Sequence, residues 1–416
     1  MHFLTMRETM KKSLTAAAVL GAFAGSVAAA QVQLYGILDT GFAYVHSDMD
    51  VTRDGLGVDA TDSFSMESGM QSASRFGFKG TEELGNGLTV GFILENQFSG
   101  DTGAVSDNDH FFRREASLFI QGGFGKLALG RMGSINSGVS SWGKHGAMSA
   151  FGTSWGGYAG NADNLFGNSG IWDNAVAYET PSFAGFKIFA QYGMGNQVDD
   201  GKGGLTGVEN ESSSDRYYAI GASYDNGPLS LYLSVDSINY ATFGTTVAPD
   251  KEVDDSLSVR FGGSYDFEVV KIYAGGAYFD EAKISMFSGA AGDWLGTYYP
   301  KYKGDPNSTI ANVSKIKGWS LGVSGNFPLA GGNFLVGAGY LDANAADSVK
   351  ISNPNWVDME LSRWVISAGY AYPLSKRTNV YGVVTYNRDS IDNAAAAKTS
   401  ADPTVYGALV GLRHQF

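Results

Sequence analysis

Thr404-Val-Tyr-Gly-Ala-Leu-Val-Gly-Leu-Arg-His-Gln-Phe416 places Tyr406, Ala408, Val410, Leu412 and Phe416 at alternate positions. Side chains along a β-strand point to opposite faces in turn, so this spacing presents one apolar face to an apolar phase. The register runs up to the terminal aromatic itself. A chain end normally frays into water, whereas a strand that closes a sheet on itself removes the exposed edge. The stretch therefore predicts a closed β-barrel in a membrane.

The rest of the chain fits that expectation. Arg7, Lys11 and Lys12 precede an apolar run from about Leu14 to Val27, and Ala28-Ala29-Ala30 follows. This pattern predicts an export signal over residues 1–30, ahead of a single barrel domain over 31–416. Beyond residue 30 no apolar run approaches the roughly 18 residues that a spanning helix needs, which excludes a helical membrane protein. The chain has no cysteine, so disulfide staples, cysteine-based metal sites and thiol catalysis drop out. Its 57 glycines, 22 tyrosines and 25 phenylalanines against 9 prolines suit aromatic strands joined by tight turns. A net charge of −13 argues against nucleic acid as a partner. The acids gather in polar stretches such as Asp48–Asp62, Asp101–Asp109, Asp199–Asp215 and Asp250–Asp255, which read as solvated loops.

Taken in order, the chain alternates amphipathic segments with connections of two kinds. Val32–Val45 is the first strand, followed by a loop over His46–Met70; Ser74–Glu83 and Leu88–Phe98 then meet at Gly85-Asn86-Gly87. Asn-Gly readily takes the positive φ of a hairpin turn. Leu229–Ser237 shows the cleanest alternation, with Leu229, Leu231, Leu233 and Val235 set against Ser230, Tyr232, Ser234 and Asp236. The expected total is sixteen strands, with seven tight turns and eight longer loops in strict alternation. That sorting by length is the mark of an outer-membrane barrel with both termini on the short-turn, periplasmic side. Sixteen strands enclose a lumen too wide for side chains to fill. The longest loop, Met132–Trp172, with ten glycines, is the segment expected to fold inward and narrow it.

Several stretches resemble the trimeric general-diffusion porins of Gram-negative bacteria, most closely the Neisseria and Burkholderia type. They are Leu34–Asp39, Ser74–Gly87, Gly122–Arg131, Asn174–Gly185 and Gly411–Phe416, and in this order they span the chain beyond the export signal. The resemblance implies a 16-stranded antiparallel barrel with an inward third loop. It also implies a homotrimer set among outer-membrane lipid and lipopolysaccharide, and passive diffusion of ions and small hydrophilic solutes without a cofactor. The outer-membrane assembly machinery would then read Phe416. Arg75, Lys79 and Arg114 are similar to the family's basic constriction wall. Strand parity turns Arg75 and Lys79 away from Phe76 and Phe78, hence into the lumen. Around Arg114, parity favours Arg113 as the inward residue, and the choice stays open. Arg131 falls on the outer face with Leu127 and Leu129; by resemblance it lies at the trimer interface, meeting Asp107 or Asp109.

One departure matters. The family's inserted loop carries several acids opposite the basic wall, whereas Met132–Trp172 has only Asp163, with Lys144 and His145 as its cations. It holds six aromatics instead: Trp142, Phe151, Trp155, Tyr158, Phe166 and Trp172. They either pack the loop onto the wall or stack on a sugar-like solute, which is the alternative function. The sign of ion selectivity is open, because a basic wall and acidic outer loops pull oppositely. His46, His110, His145 and His414 are scattered without metal-ligand spacing, and no acid–base–nucleophile set is visible, so no enzyme and no metal site is expected. Asp107-Asn108-Asp109 offers oxygen ligands that leave Ca²⁺ binding undecided.

Overall fold

The computed structural model describes residues 31–51, 58–157, 159–195, 208–241, 254–287, 315–348, 359–393 and 399–416. The export signal expected over 1–30, Tyr158, and parts of the long acidic loops lie outside the described residues.

Seventeen strand segments form one antiparallel sheet. They are β1 (Gln31–Val51), β2 (Val58–Ser68), β3 (Arg75–Gly85), β4 (Leu88–Gln97), β5 (Glu115–Gly122), β6 (Gly125–Gly133), β7 (Ile171–Glu179), β8 (Phe186–Gly193) and β9 (Arg216–Asn226). The second half continues with β10 (Leu229–Asn239), β11 (Leu257–Asp266), β12 (Lys271–Lys283), β13 (Lys315–Leu329), β14 (Gly332–Ala345), β15 (Met359–Pro373), β16 (Thr378–Asn393) and β17 (Thr399–Gln415). β1 pairs with β17 on one side, from Ile37↔Gln415 to Val51↔Ala401. On its other side it pairs with β3 at its start and with β2 further along. β2 and β3 are thus two halves of one barrel position, and the barrel has the sixteen positions expected.

The loop expected over His46–Met70 is corrected here. β1 runs on to Val51, and Val58–Ser68 returns along it as β2. Elsewhere short and longer connections alternate as expected, except that β16 and β17 run on so far that 394–398 alone joins them, a shorter link than 180–185 between β7 and β8. Gly85 pairs with Leu88, leaving Asn86 (φ 51°) and Gly87 (φ 75°) as a two-residue turn. Both central residues have the positive φ that a primed hairpin turn requires.

Closure is completed by Phe416. Its N–H donates to Gly36 O and its O accepts from Gly36 N–H, each at 3.1 Å. Its ring lies where a Cβ on Gly36 would come within 2.4 Å of Cζ. In hydrocarbon an unpaired backbone group costs several kcal/mol, which is why a membrane sheet must close. The two faces of the wall follow the alternation in sequence: Leu231 and Leu233 are exposed on the outside, while Ser234 and Asp236 are buried within.

Candidate functional site

Cross-strand pairing settles which residues share the inner face. Directly opposed residues lie on one face of a sheet, and Arg75↔Gln97, Gly77↔Glu95 and Lys79↔Ile93 join the β3 and β4 inner rows. Arg75 therefore stands beside Glu95, with Nε 3.6 Å from Oε2. Arg114 precedes β5, where the chain is not yet extended, so alternation does not govern it. Its N–H donates to Glu95 O at 3.1 Å, its Nε to Glu95 Oε1 at 2.6 Å and its Nη1 to Gln97 Oε1 at 2.9 Å. Arg113 also reaches Gln97 Oε1, at 3.0 Å. Arg114 borders a cavity of about 520 Å³ together with Arg75, Arg413, Phe151, Thr153 and Asp163.

Arg413, whose Nε donates to Ser72 Oγ at 3.1 Å, was not among the residues singled out from the sequence. The signal was present: in the alternation Tyr406, Ala408, Val410, Leu412, residue 413 falls on the opposite face. Lys79 does not border this cavity. It lies four residues nearer the short turn, exposed, with Nζ 5.1 Å from the Tyr35 ring centroid.

The segment between β6 and β7 lies against the inner wall. Ile135 N–H donates to Gln191 Oε1 at 2.9 Å, Ala150 N–H to Ser324 Oγ at 2.9 Å and Gly160 N–H to Ser367 Oγ at 3.0 Å. All three acceptors are on inner-face positions. Within the segment, α1 (Ala162–Phe166) is capped by Asn161, whose side chain accepts from Asn164 N–H at 2.9 Å. Two guanidiniums hold the carbonyls of α1. Arg260 Nε donates to Phe166 O at 2.8 Å while its Nη1 pairs with Asp236 at 2.8 Å. Arg363 Nη1 donates to Asn164 O at 3.1 Å while Nε and Nη2 grip Asp389 at 2.8 and 3.0 Å. The Arg363–Asp389 pair is fork-to-fork, which fixes geometry as well as charge, whereas Arg260 gives Asp236 one bond and turns Nη2 to Ser169 Oγ at 3.2 Å. Between them, Leu165 and Phe166 sit on a patch of wall that lacks side chains: a Cβ on Gly339 would be 2.2 Å from Leu165 Cδ2, and one on Gly275 3.0 Å from Phe166 Cζ.

The described aromatics of the loop are packing residues. Trp142, Phe151 and Phe166 are buried. Trp155 is 7% exposed, edge-on to Phe151 (5.9 Å) and Tyr381 (5.6 Å), which leaves no free face for a sugar ring. Trp172 stacks on Tyr217 at 5.1 Å.

The loop's polar residues part company. Asp163 borders the cavity, its Oδ1 2.7 Å from Nε2 of the buried His145 but without hydrogen-bond alignment. Asn168 Nδ2 donates to its other oxygen at 2.9 Å. Lys144 lies elsewhere, 3.5 Å from Glu179 at the end of β7.

Within one chain the partner of Arg131 is Asp173. A register shift between Gly130 and Met132 brings Asp173 beside it, and the two form a close ion pair. Arg131 Nε also donates to Arg113 O at 2.9 Å. Asp107 enters one step away, through His110, which stands 3.0 Å from Asp107 and 3.6 Å from Asp173. Partial desolvation pushes the Asp107 carboxyl up, but hydrogen bonds from Asp109 N–H, the His110 ring and His110 N–H outweigh it and leave it below the ordinary carboxylate range.

The sequence signature of the Gram-negative porin family matches residues 16–392. An outer membrane porin protein of Bordetella pertussis is 33% identical, the alignment covering 98% of this chain and all of the relative. Outer membrane porin protein 32 of Delftia acidovorans is 31% identical with the same coverage. Among solved structures, the anion-selective porin from Comamonas acidovorans superposes with a TM-score of 0.62 at 25% identity, over 93% of this chain and all of that one.

Proposed function

The chain belongs to the Gram-negative porin family, an outer-membrane channel giving passive diffusion of ions and small hydrophilic solutes, and from that premise we propose that its pore favours anions. The observation that carries this reading is the placement of charge around the narrow cavity. Three guanidiniums, Arg75, Arg114 and Arg413, border it against one acid, Asp163. Glu95 pairs with Arg75 and with Arg114, which is itself buried, so the positive charge that meets water rests on Arg75 and Arg413, and Asp39 is fully buried. Asp39 is engaged by Ser72 N–H at 2.6 Å and Tyr381 Oη at 2.5 Å. Charge that faces water in a narrow, low-dielectric passage sets the potential an ion meets. The likeness to an anion-selective porin supports the same sign.

The working unit is a homotrimer, with the Arg131–Asp173–His110–Asp107 cluster on the outer face at the subunit contact. Phe416, seated on Gly36, doubles as the address read by the assembly machinery.

The test is a reversal potential across a planar bilayer under a KCl gradient. The native protein is expected to insert with three equal conductance steps and a potential on the chloride side. The Arg75→Gln and Arg413→Gln double variant is expected to move that potential toward potassium. A cation-side potential in the native protein, or no movement in the variant, would overturn the reading.

A further inference from the structure

A second group of cations lies away from the arginine-lined cavity, at the short-turn ends of β6, β7 and β8. Lys126 follows the β5–β6 turn, Lys187 opens β8, and Lys144 reaches the same place from the inserted loop. All belong to the lumen: Lys126↔Glu179 and Ala177↔Gln191 continue the inner-face rows from β6 to β8.

The acids present do not cancel these lysines. Glu179 is shared, its Oε1 2.7 Å from Lys187 and its Oε2 3.5 Å from Lys144. Glu115 is committed to the loop, accepting from Ser141 N–H at 2.7 Å, Ser141 Oγ at 2.9 Å and Ser117 Oγ at 2.7 Å. Lys126 is held by ring faces instead, with Nζ 4.4 Å from the Phe119 centroid and 4.9 Å from that of Trp142. A cation over an aromatic face is stabilised without being neutralised. The side that meets water is positive: the side chains of Lys144 and Lys187 are 30% and 39% exposed, that of Glu179 only 17%.

We propose that Lys126, Lys144 and Lys187 form a second anion station, on the periplasmic side of the constriction, for small solutes carrying carboxylate or phosphate groups. The inference rests on the anion-favouring reading above. An anion leaving the arginines meets a second positive surface before the mouth, so its release is stepped, and anions arriving from the periplasm are concentrated there. Conduction through several weak sites in series avoids trapping at any one of them. Lys79, exposed on β3 between the constriction and the short turn, stands along the same route.

The test is conductance against salt for the native protein, Lys126→Gln/Lys187→Gln and Lys126→Arg/Lys187→Arg. Fixed charge acts over about 3 Å in 1 M salt and about 30 Å in 0.01 M. The glutamine pair is therefore expected to match the native protein in 1 M KCl and to lose about half its conductance near 0.01 M, while the arginine pair retains it. Loosening of the loop would instead raise conductance at every salt concentration, and that result, or equal conductance at low salt, would overturn the station. The native reversal potential, taken on the same channels, tells the two readings apart. A chloride-side potential with unaffected low-salt conductance removes the station alone; a potassium-side potential removes the reading beneath it.

Discussion

Replacing Gly339 with valine should unseat the inserted loop without harming the barrel. Gly339 lies between Gly322 and Val365 on the inner row of β13–β15. Its φ is ordinary for a strand, since it is absent from the positive-φ glycines, and β-branched residues suit strands. The cost falls on Leu165, whose methyls would stand 2.2 and 2.5 Å from the new Cβ. Leu165 is fully buried on the wall, and returning such a side chain to water costs about 1.5–3 kcal/mol. At about 1.4 kcal/mol per tenfold, the detached loop becomes roughly ten- to a hundredfold more populated. Single-channel recording should then show excursions to a larger open level, while the heat resistance of the barrel on gels stays native. Leu165→Ala in the Gly339→Val background makes room for the added methyls and should quieten the trace, because contacting residues couple in a double-mutant cycle. A quiet Gly339→Val channel of native conductance would refute the idea that this contact seats the loop.

Gly36→Val should block closure as effectively as deletion of Phe416, because the new Cβ would fall 2.4 Å from the Phe416 ring and 2.6 Å from Arg75 O; native levels of folded barrel in outer-membrane fractions would reject this. The lowered Asp107 carboxyl makes the 98–112 loop pH-dependent: its contribution is whole above the ordinary aspartate value near 4 and is lost as pH falls through the lower folded value. Protease nicking of that loop should rise in acid for the native protein and be high at both pH values for Asp107→Asn, and an Asp107→Asn loop as resistant at neutral pH as the native one would count against it.

How far the fold could be read from sequence varied with what surrounds each element. β10 alternates cleanly because lipid lies on one side and the loop on the other. β2 was hidden, since Asp62 interrupts the apolar series Val58, Ala60, Phe64 and Met66 that alternates with Thr61, Ser63, Ser65 and Glu67; it pairs only with β1 among the described residues. Arg75 was legible from parity, and so was Arg413. Arg114 was not, because it sits outside the strand, and a register shift concealed the pairing of Arg131 with Asp173. The seat of Leu165 and Phe166 needed the register as well: Gly275, Gly322 and Gly339 are far apart in sequence and become one patch only when β12, β13 and β14 are aligned.

That glycine patch makes the barrel a party wall. On the inside it carries Met148, Leu165 and Phe166; on the outside Gly262, Gly263 and Gly275 floor an apolar hollow of about 1160 Å³. No side chain stands between the two tenants, only a single thickness of backbone. The inner partition of the pore is therefore propped directly against the backbone of the shell, with Leu165 and Phe166 seated on β12–β14. Here the seat of the inserted loop is the barrel backbone itself, with no side chain between loop and shell.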